Sequence, residues 1–251
     1  MSNESGDKKL LGNFRKLVDF VSADPNFNPN NTKLKVVQLE PQYTAGQAAA
    51  EALLAERGPH KLAITERKRG YDELPRRFTR SFNMFKASGA SKEVVADAKT
   101  YKVKIDGTRK STKSKPAASG DAGTAASEPG GSEGTTHSAS QTSHENLLGH
   151  ALAYLAIVRN VEAYAPNEPD LTVAALEAFI ADLEAKNNAV NAAYVAVSQA
   201  RATRDRLLYT NEACIVNIAL LVKAYVKAAF GTQSELYKRI KGLQFRRSTT
   251  D

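Results

Sequence analysis

The sequence has 251 residues, a formal net charge of +8, one cysteine and no tryptophan. A single cysteine excludes an intramolecular disulfide framework, and no charged start leads into an apolar run, so no secretory signal is predicted. No apolar run is expected to reach the roughly 20 residues of a membrane span. We therefore expect a cytoplasmic protein without a membrane segment.

The positive charge is concentrated in the first half of the chain. Residues 1–115 contain 23 Lys and Arg against 13 Asp and Glu, whereas residues 146–251 contain 12 against 10. Basicity is therefore a property of the first half and not of a feature that both halves share.

Proline and glycine interrupt the helical periodicity of the first half. After an opening helix and an Asn- and Pro-rich turn, Pro41 is predicted to kink or restart the next helix, because proline cannot donate a backbone hydrogen bond. Gly58-Pro59 is predicted to interrupt the helix again. Pro75 is expected to open another helix, and Ser91 is expected to cap a shorter one after it. The first half thus predicts several separate helices.

The second half contains the longest regular stretch, residues 170–208, which has neither Gly nor Pro. Its apolar residues recur at helical spacing, so we predict one continuous helix with Asp170 as its N-cap. The alternative is a break at Asn187-Asn188, which would give a compact four-helix bundle. We prefer the continuous helix because asparagine alone is a weak helix breaker.

The two halves share the order helix, Pro-Asn turn, long arm, helix and glycine. Residues match at an offset of 137, which changes to 142 near the turn before the third helix of the second half. The matched pairs include Leu34 and Leu171, Arg67 and Arg204, and Gly89 and Gly231. We therefore predict an all-α protein of two tandem antiparallel helical-bundle units, a basic unit 1–110 and a second unit 146–251, related by internal duplication.

Residues 111–145, between the predicted units, are rich in Ser, Gly, Ala and Thr. A segment with so little apolar surface to bury is predicted to be a disordered linker.

Segments from both halves carry a family resemblance. They are LPRRFTRSFNMFKASGASKEVVADAKTYKVKIDGTR (74–109), NNAVNAAYVAVSQARATRDRLLY and VKAYVKAAFGTQSELYKRIKGLQF (within 187–245). They resemble an uncharacterised duplicated helical-bundle family of Bacteroidota. That family has no established activity, cofactor or partner, so the resemblance implies only the fold and the duplication.

The most basic stretch is ERKRGYDELPRRFTR, which we call the basic patch. Its cations are Arg67, Lys68, Arg69, Arg76, Arg77 and Arg80. Such a patch could contact phosphates, but the neighbouring Glu and Asp also fit a solvated helix face. We expect at most weak, sequence-independent nucleic-acid binding from it.

Three polar residues of the long arm fall on its apolar face at 100° per residue from Leu176. They are Asn187, Arg201 and Asp205. One interpretation is that they are the polar end of the apolar face of this helix. The other is a buried polar set that fixes the register between packed helices, in which Arg201 and Asp205 could pair.

No motif for catalysis, a metal or a cofactor is found. HENLLGH (144–150) places its histidines six residues apart, whereas a zinc-protease helix needs HExxH. We read these histidines as solvated and predict no cofactor and no metal.

The resulting hypothesis is a non-enzymatic helical interaction or structural protein that binds a protein partner or itself. The alternative is a nucleic-acid-associated protein that uses the basic first unit.

Overall fold

The computed structural model describes residues 3–107 and 143–246 of the chain. Over these ranges the chain is helical and contains no strand, which confirms the predicted all-α class. Nearly all of the predicted linker (111–145) lies outside the described residues. The elements are α1 (Asn3–Ser22), a 3-10 turn (Thr32–Leu34), α2 (Val36–Ala87), α3 (Lys92–Ile105), α4 (His144–Val158), α5 (Val173–Asp205), a π-helical segment (Arg206–Thr210), α6 (Ile215–Phe230) and α7 (Glu235–Lys241).

α2 is one helix of 52 residues, so the separate helices predicted for this region are wrong. An interior proline costs a helix about 3 kcal/mol. Pro41 and Pro59 are exposed, which lets water satisfy the carbonyls that they leave free. Gly58 has no Cβ to clash with the Pro59 ring. Apolar burial on both sides, at Leu53 and Leu74 for example, outweighs these local costs.

α5 runs unbroken through Asn187-Asn188, which confirms the continuous helix. It begins at Val173, later than predicted, because Thr172 and not Asp170 caps it. The Thr172 Oγ1 accepts a hydrogen bond of 3.2 Å from the Ala175 N–H. Asp170 instead pairs with Arg80.

The chain forms two compact units. Unit 1 comprises residues 1–64 and 189–251, and unit 2 comprises residues 65–188. This grouping differs from the predicted division into 1–110 and 146–251, because α2 and α5 each contribute a segment to both units.

The core of unit 1 packs α1, α6 and α7 with the first part of α2. One face of α1 and one face of α6 are buried, and the residues are Leu10, Phe14, Leu17, Val18, Val21, Ile215, Ile218, Val222 and Val226. Cys214, the single cysteine, is fully buried just before α6. Gly46 lets α2 approach closely, since a Cβ there would lie 2.5 Å from Ile215 Cδ1.

The core of unit 2 is separate and aromatic. It is formed by α3, α4 and the unit 2 segments of α2 and α5. Phe78 packs edge-on against Tyr154 with ring centroids 5.2 Å apart, and Phe85 packs against Tyr164 at 5.9 Å. Leu183 packs against Gly70, where an added Cβ would lie 2.7 Å from Leu183 Cδ2.

One helical stretch, Val173–Phe230, contains an 18-residue window that is long and apolar enough to cross a membrane. The sequence led us to expect no such window. That window is 39% buried, and it meets the criteria for a membrane span by length and composition only. The cytoplasmic location therefore stays a prediction.

The close approach at Gly46 gives a stability test. Gly46→Leu should lower the free energy of unfolding by about 1–3 kcal/mol, because the new side chain overpacks a filled core. Gly12→Leu is the matched control, since Gly12 is an exposed helical glycine of the same unit, and a Cβ added there would have no atom within 4 Å. It should be neutral or stabilising by up to about 1 kcal/mol. Urea denaturation of both variants measures this, and equal effects would contradict the packing at Gly46.

Candidate functional site

All six cations of the basic patch lie on α2 within unit 2. The side chain of Arg77 binds the Glu73 carboxylate at 2.6 Å and lies 4.2 Å from the centre of the Phe179 ring. Arg80 donates two hydrogen bonds to the Asp170 carboxylate, which lowers the pKa of that carboxyl. Two of the five guanidinium groups of the basic patch are therefore already paired with acids of unit 2.

An open depression of about 520 Å³ lies along this part of α2. It is lined by Asp72, Glu73, Arg76, Arg77 and Arg80, so both signs of charge face it. The described residues of unit 2, 65–107 and 143–188, contain 13 Lys and Arg and 13 Asp and Glu. The basic patch thus belongs to a unit whose described charges balance.

The predicted register set is only partly brought together. Asn187 Nδ2 donates a hydrogen bond of 2.8 Å to Tyr71 Oη, and its Oδ1 is buried without a hydrogen-bond partner in the described residues. Arg201 is exposed and is not part of a buried set. Asp205 pairs not with Arg201 but with Arg204, whose Nε lies 3.1 Å from Asp205 Oδ1.

The buried charge that the sequence did not reveal is Arg204, which is 2% exposed. Its Nη1 donates to both oxygens of the Asp7 carboxylate, at 2.8 and 3.1 Å. The Tyr209 hydroxyl donates to Asp7 Oδ1 at 2.6 Å, and burial together with this hydrogen bond raises the pKa of Tyr209 far above its usual range. Tyr209 belongs to the π-helical segment Arg206–Thr210. This segment therefore supplies one of the three residues of the buried cluster, the others being Asp7 and Arg204.

Unit 2 contains a chain of buried hydroxyl groups that the sequence also did not reveal. The Tyr164 hydroxyl donates to the Leu171 carbonyl at 2.6 Å, so it accepts from Ser81, whose Oγ lies 2.9 Å away. Ser81 in turn accepts from the Tyr154 hydroxyl at 3.0 Å. One proton arrangement therefore satisfies all three hydroxyl groups, as buried polar groups require.

Two histidines on α4 are partly buried, although we predicted them to be solvated. The ring of His144 meets the Tyr71 ring edge-on at 4.5 Å. Burial, and then the charge of Arg67, lowers the pKa of His144. Burial, and then the charge of Lys104, lowers the pKa of His150, whose Nε2 is buried without a hydrogen bond in the described residues.

Large apolar side chains are exposed mainly in unit 1. The described residues include nine such side chains, and all but Leu152 lie in unit 1. Five of them lie on neighbouring stretches of two helices and are together called the apolar surface, namely Leu54, Leu62 and Ile64 on α2 and Tyr194 and Val195 on α5. Leu62 and Ile64 are two residues apart, so they lie on opposite sides of α2. The two helices are adjacent there, because the rings of His60 and Tyr194 lie 6.0 Å apart. Between residues 54 and 64, all of them described, α2 has no buried side chain.

Among the described residues, no group of three His, Cys, Asp or Glu side chains is arranged to hold a metal ion. The predicted absence of metal and cofactor stays a prediction for the chain as a whole.

Comparisons with protein-family models, with curated proteins and with solved structures found no match to this chain. The resemblance to a Bacteroidota family therefore stays a prediction, and the site is interpreted from its own geometry.

The buried pair in unit 1 predicts a large difference between two nearby arginines. Arg204→Ala should lower the free energy of unfolding by about 3–5 kcal/mol, because it leaves Asp7 buried without its ionic partner. Arg201→Ala removes an exposed arginine from the same helix and should change it by no more than about 0.5 kcal/mol. Urea denaturation measures the free energy of unfolding of both variants. An Asp7→Leu, Arg204→Met double variant should recover most of the stability that Arg204→Ala loses. Equal effects of the two alanine substitutions would contradict the buried role of Arg204.

The histidines of α4 predict a pH dependence. Because their pKa values are lowered in the folded state, the unfolded chain takes up protons first as the pH falls through its ordinary histidine pKa of about 6.5. The free energy of unfolding should therefore decrease from pH 7.5 to pH 5.5. The His144→Gln, His150→Gln variant should lose less stability over the same range in parallel thermal melts. A wild type whose stability rises on acidification would contradict the assignment.

Proposed function

We propose that this chain is a non-enzymatic helical interaction or structural protein that docks a protein, either a second copy of itself or another chain, on the apolar surface of unit 1. The observation that supports it is the concentration of exposed large apolar side chains in that unit. Single exposed hydrophobic residues are ordinary, but clusters on one surface are typical of interaction sites.

The exposed residues are not needed to complete a core. Leu53, the last buried residue of α2 in unit 1, is 4% exposed, whereas Leu54 and Leu62 are 54% and 58% exposed. On α5, Val190 and Val197 are buried and Tyr194 between them is 59% exposed. Burying such side chains in a complex contributes about 25 cal/mol per Å² of apolar area, which favours a partner that covers them together.

We also propose the internal duplication as the origin of the fold. Two contacts support it. In unit 1, Leu208 lies beside Gly46 of α2, and in unit 2, Leu183 lies against Gly70 of α2. The offset of 137 relates residue 46 to 183 and residue 71, next to Gly70, to 208, so the two contacts match, to within one residue, the exchange that a duplication predicts. The π-helical segment and the turn before α6 lie where the offset changes from 137 to 142.

Site-specific photo-cross-linking would test the apolar surface. A p-benzoylphenylalanine in place of Tyr194 should give discrete adducts, because the proposed partner covers that position. The same photoreactive residue in place of Leu152, which is 50% exposed in unit 2, is the matched control and should give none. With the purified chain, an adduct of twice the chain mass would identify a second copy, and a different mass in cells would identify another protein. No adduct from position 194, or equal adducts from both positions, would refute the proposal.

A further inference from the structure

The excess positive charge of the described residues lies in unit 1. Residues 3–64 and 189–246 contain 17 Lys and Arg against 10 Asp and Glu, whereas the charges of unit 2 balance. The surface that attracts a polyanion should therefore be sought in unit 1, and not at the basic patch on α2 that the sequence indicates.

Within unit 1 the cations concentrate near the end of the described chain. Residues 215–246 contain six Lys and Arg and a single acid, Glu235. Four of the six side chains are exposed on α7 or just after it, namely Lys238, Arg239, Lys241 and Arg246. Glu235 pairs with Lys238, whose Nζ lies 3.0 Å from its carboxylate, and the charge of Arg239 also acts on it. One acid thus faces several cations.

Lys223 has a different role and does not belong to this surface. Its Nζ donates to the carbonyls of Lys241 and Leu243, each at 2.9 Å, so it holds the carboxyl end of α7. Burial lowers the pKa of Lys223. This contact fixes the end of α7 that carries Lys241.

α1 adds two cations on the side that faces this region. Asn13 Nδ2 donates a hydrogen bond of 3.1 Å to the Gln244 carbonyl, and α1 packs against α7. Lys9 and Lys16 lie four residues before and three residues after Asn13, so all three share one face of the helix. Both lysines are exposed.

The acids of α1 whose side chains are described are already engaged elsewhere. Asp7 is buried with Arg204 and Tyr209. Asp19 Oδ1 lies 3.0 Å from Arg15 Nε. Neither carboxylate neutralises Lys9 or Lys16, so the charge of these lysines adds to that of α7.

We propose that this α1/α7 basic surface binds the phosphate backbone of double-stranded nucleic acid without sequence preference. Its members are Lys9, Lys16, Lys238, Arg239, Lys241 and Arg246. Clustered exposed cations can contact closely spaced phosphates, and such contacts supply most of the free energy of non-specific nucleic-acid binding. An anionic membrane is disfavoured, because surface helices that bind membranes also insert apolar side chains. None of the large apolar side chains exposed in the described residues lies on α1 or α7.

The test compares two variants of the full chain that each lose six positive charges. One changes the six residues of the α1/α7 basic surface to Gln, and the matched control changes the six residues of the basic patch to Gln. Binding to a 30-base-pair DNA duplex is measured by fluorescence anisotropy between about 50 and 300 mM salt. Wild type and control should show a log–log slope between about −3 and −5, since each phosphate contact contributes about −0.9. The α1/α7 variant should bind at least about tenfold more weakly at low salt, with a flatter slope.

Several outcomes would overturn the proposal. Equal losses in the two variants would mean that net charge alone matters, and a selective loss in the control would assign binding to the basic patch. Absence of duplex binding by the wild type would refute it directly. Co-sedimentation with phosphatidylserine-containing vesicles is the remaining arm, and vesicle binding that depends on the same six residues without duplex binding would assign the surface to membranes. Thermal melts of both variants must match the wild type, and a folded α1/α7 variant that binds DNA normally would also refute the proposal.

Discussion

A seven-residue spacing of buried positions along α5 is the constraint on which both units depend. Leu176, Leu183, Val190, Val197 and Arg204 are each at most 6% exposed. Seven residues make two turns when a helix has 3.5 residues per turn, as in coiled coils, so these side chains stay on one face along the whole helix. Leu176 and Leu183 belong to the core of unit 2, and Val190, Val197 and Arg204 are buried in unit 1, so buried positions of one helix serve both units.

The same spacing explains why the sequence indicated the wrong arginine. A projection at 100° per residue drifts by about 20° per seven residues, which over four repeats turns Arg204 roughly 80° away from Leu176. Arg201 then falls on the apolar face by projection, although it is exposed in the structure. A strict seven-residue register would have placed Arg204 in line with the buried leucines. Its partner Asp7 is nearly 200 residues away, and no local pattern could have revealed that pairing.

Local signals predicted some of the helix ends. Gly89 and Gly231 follow helices with φ angles of 85° and 82°, which glycine adopts without strain. Ser91 caps α3 by accepting the Val94 N–H, as predicted. What could not be predicted was the outcome of competition between local and tertiary terms. The cost of Pro41, Pro59 and Pro75 was visible in the sequence, but the burial that offsets it appears only after packing.

The charged surface of the folded protein also could not be predicted from the sequence alone. Along the sequence the basic patch stands out because its cations are contiguous, whereas Lys9, Lys16 and Lys241 look unrelated. In the folded chain, Asp170 pairs with Arg80 of the basic patch across 90 residues of sequence. The packing of α7 against α1 brings elements that carry the other cations together. Neighbouring charge in the chain is therefore a poor guide to the potential of a folded surface.

The distribution of surface chemistry between the units has a functional consequence. In unit 2 the described charges balance, and Leu152 is the one large apolar side chain exposed among its described residues. Unit 1 carries both the apolar surface and the excess of positive charge. Its fold tolerates these because the Arg204 and Asp7 pair and the α6 core lie inside and do not use the exposed groups. The side chains that stabilise unit 1 therefore differ from those that the proposals assign to recognition, and substitutions on either surface leave the described cores unchanged.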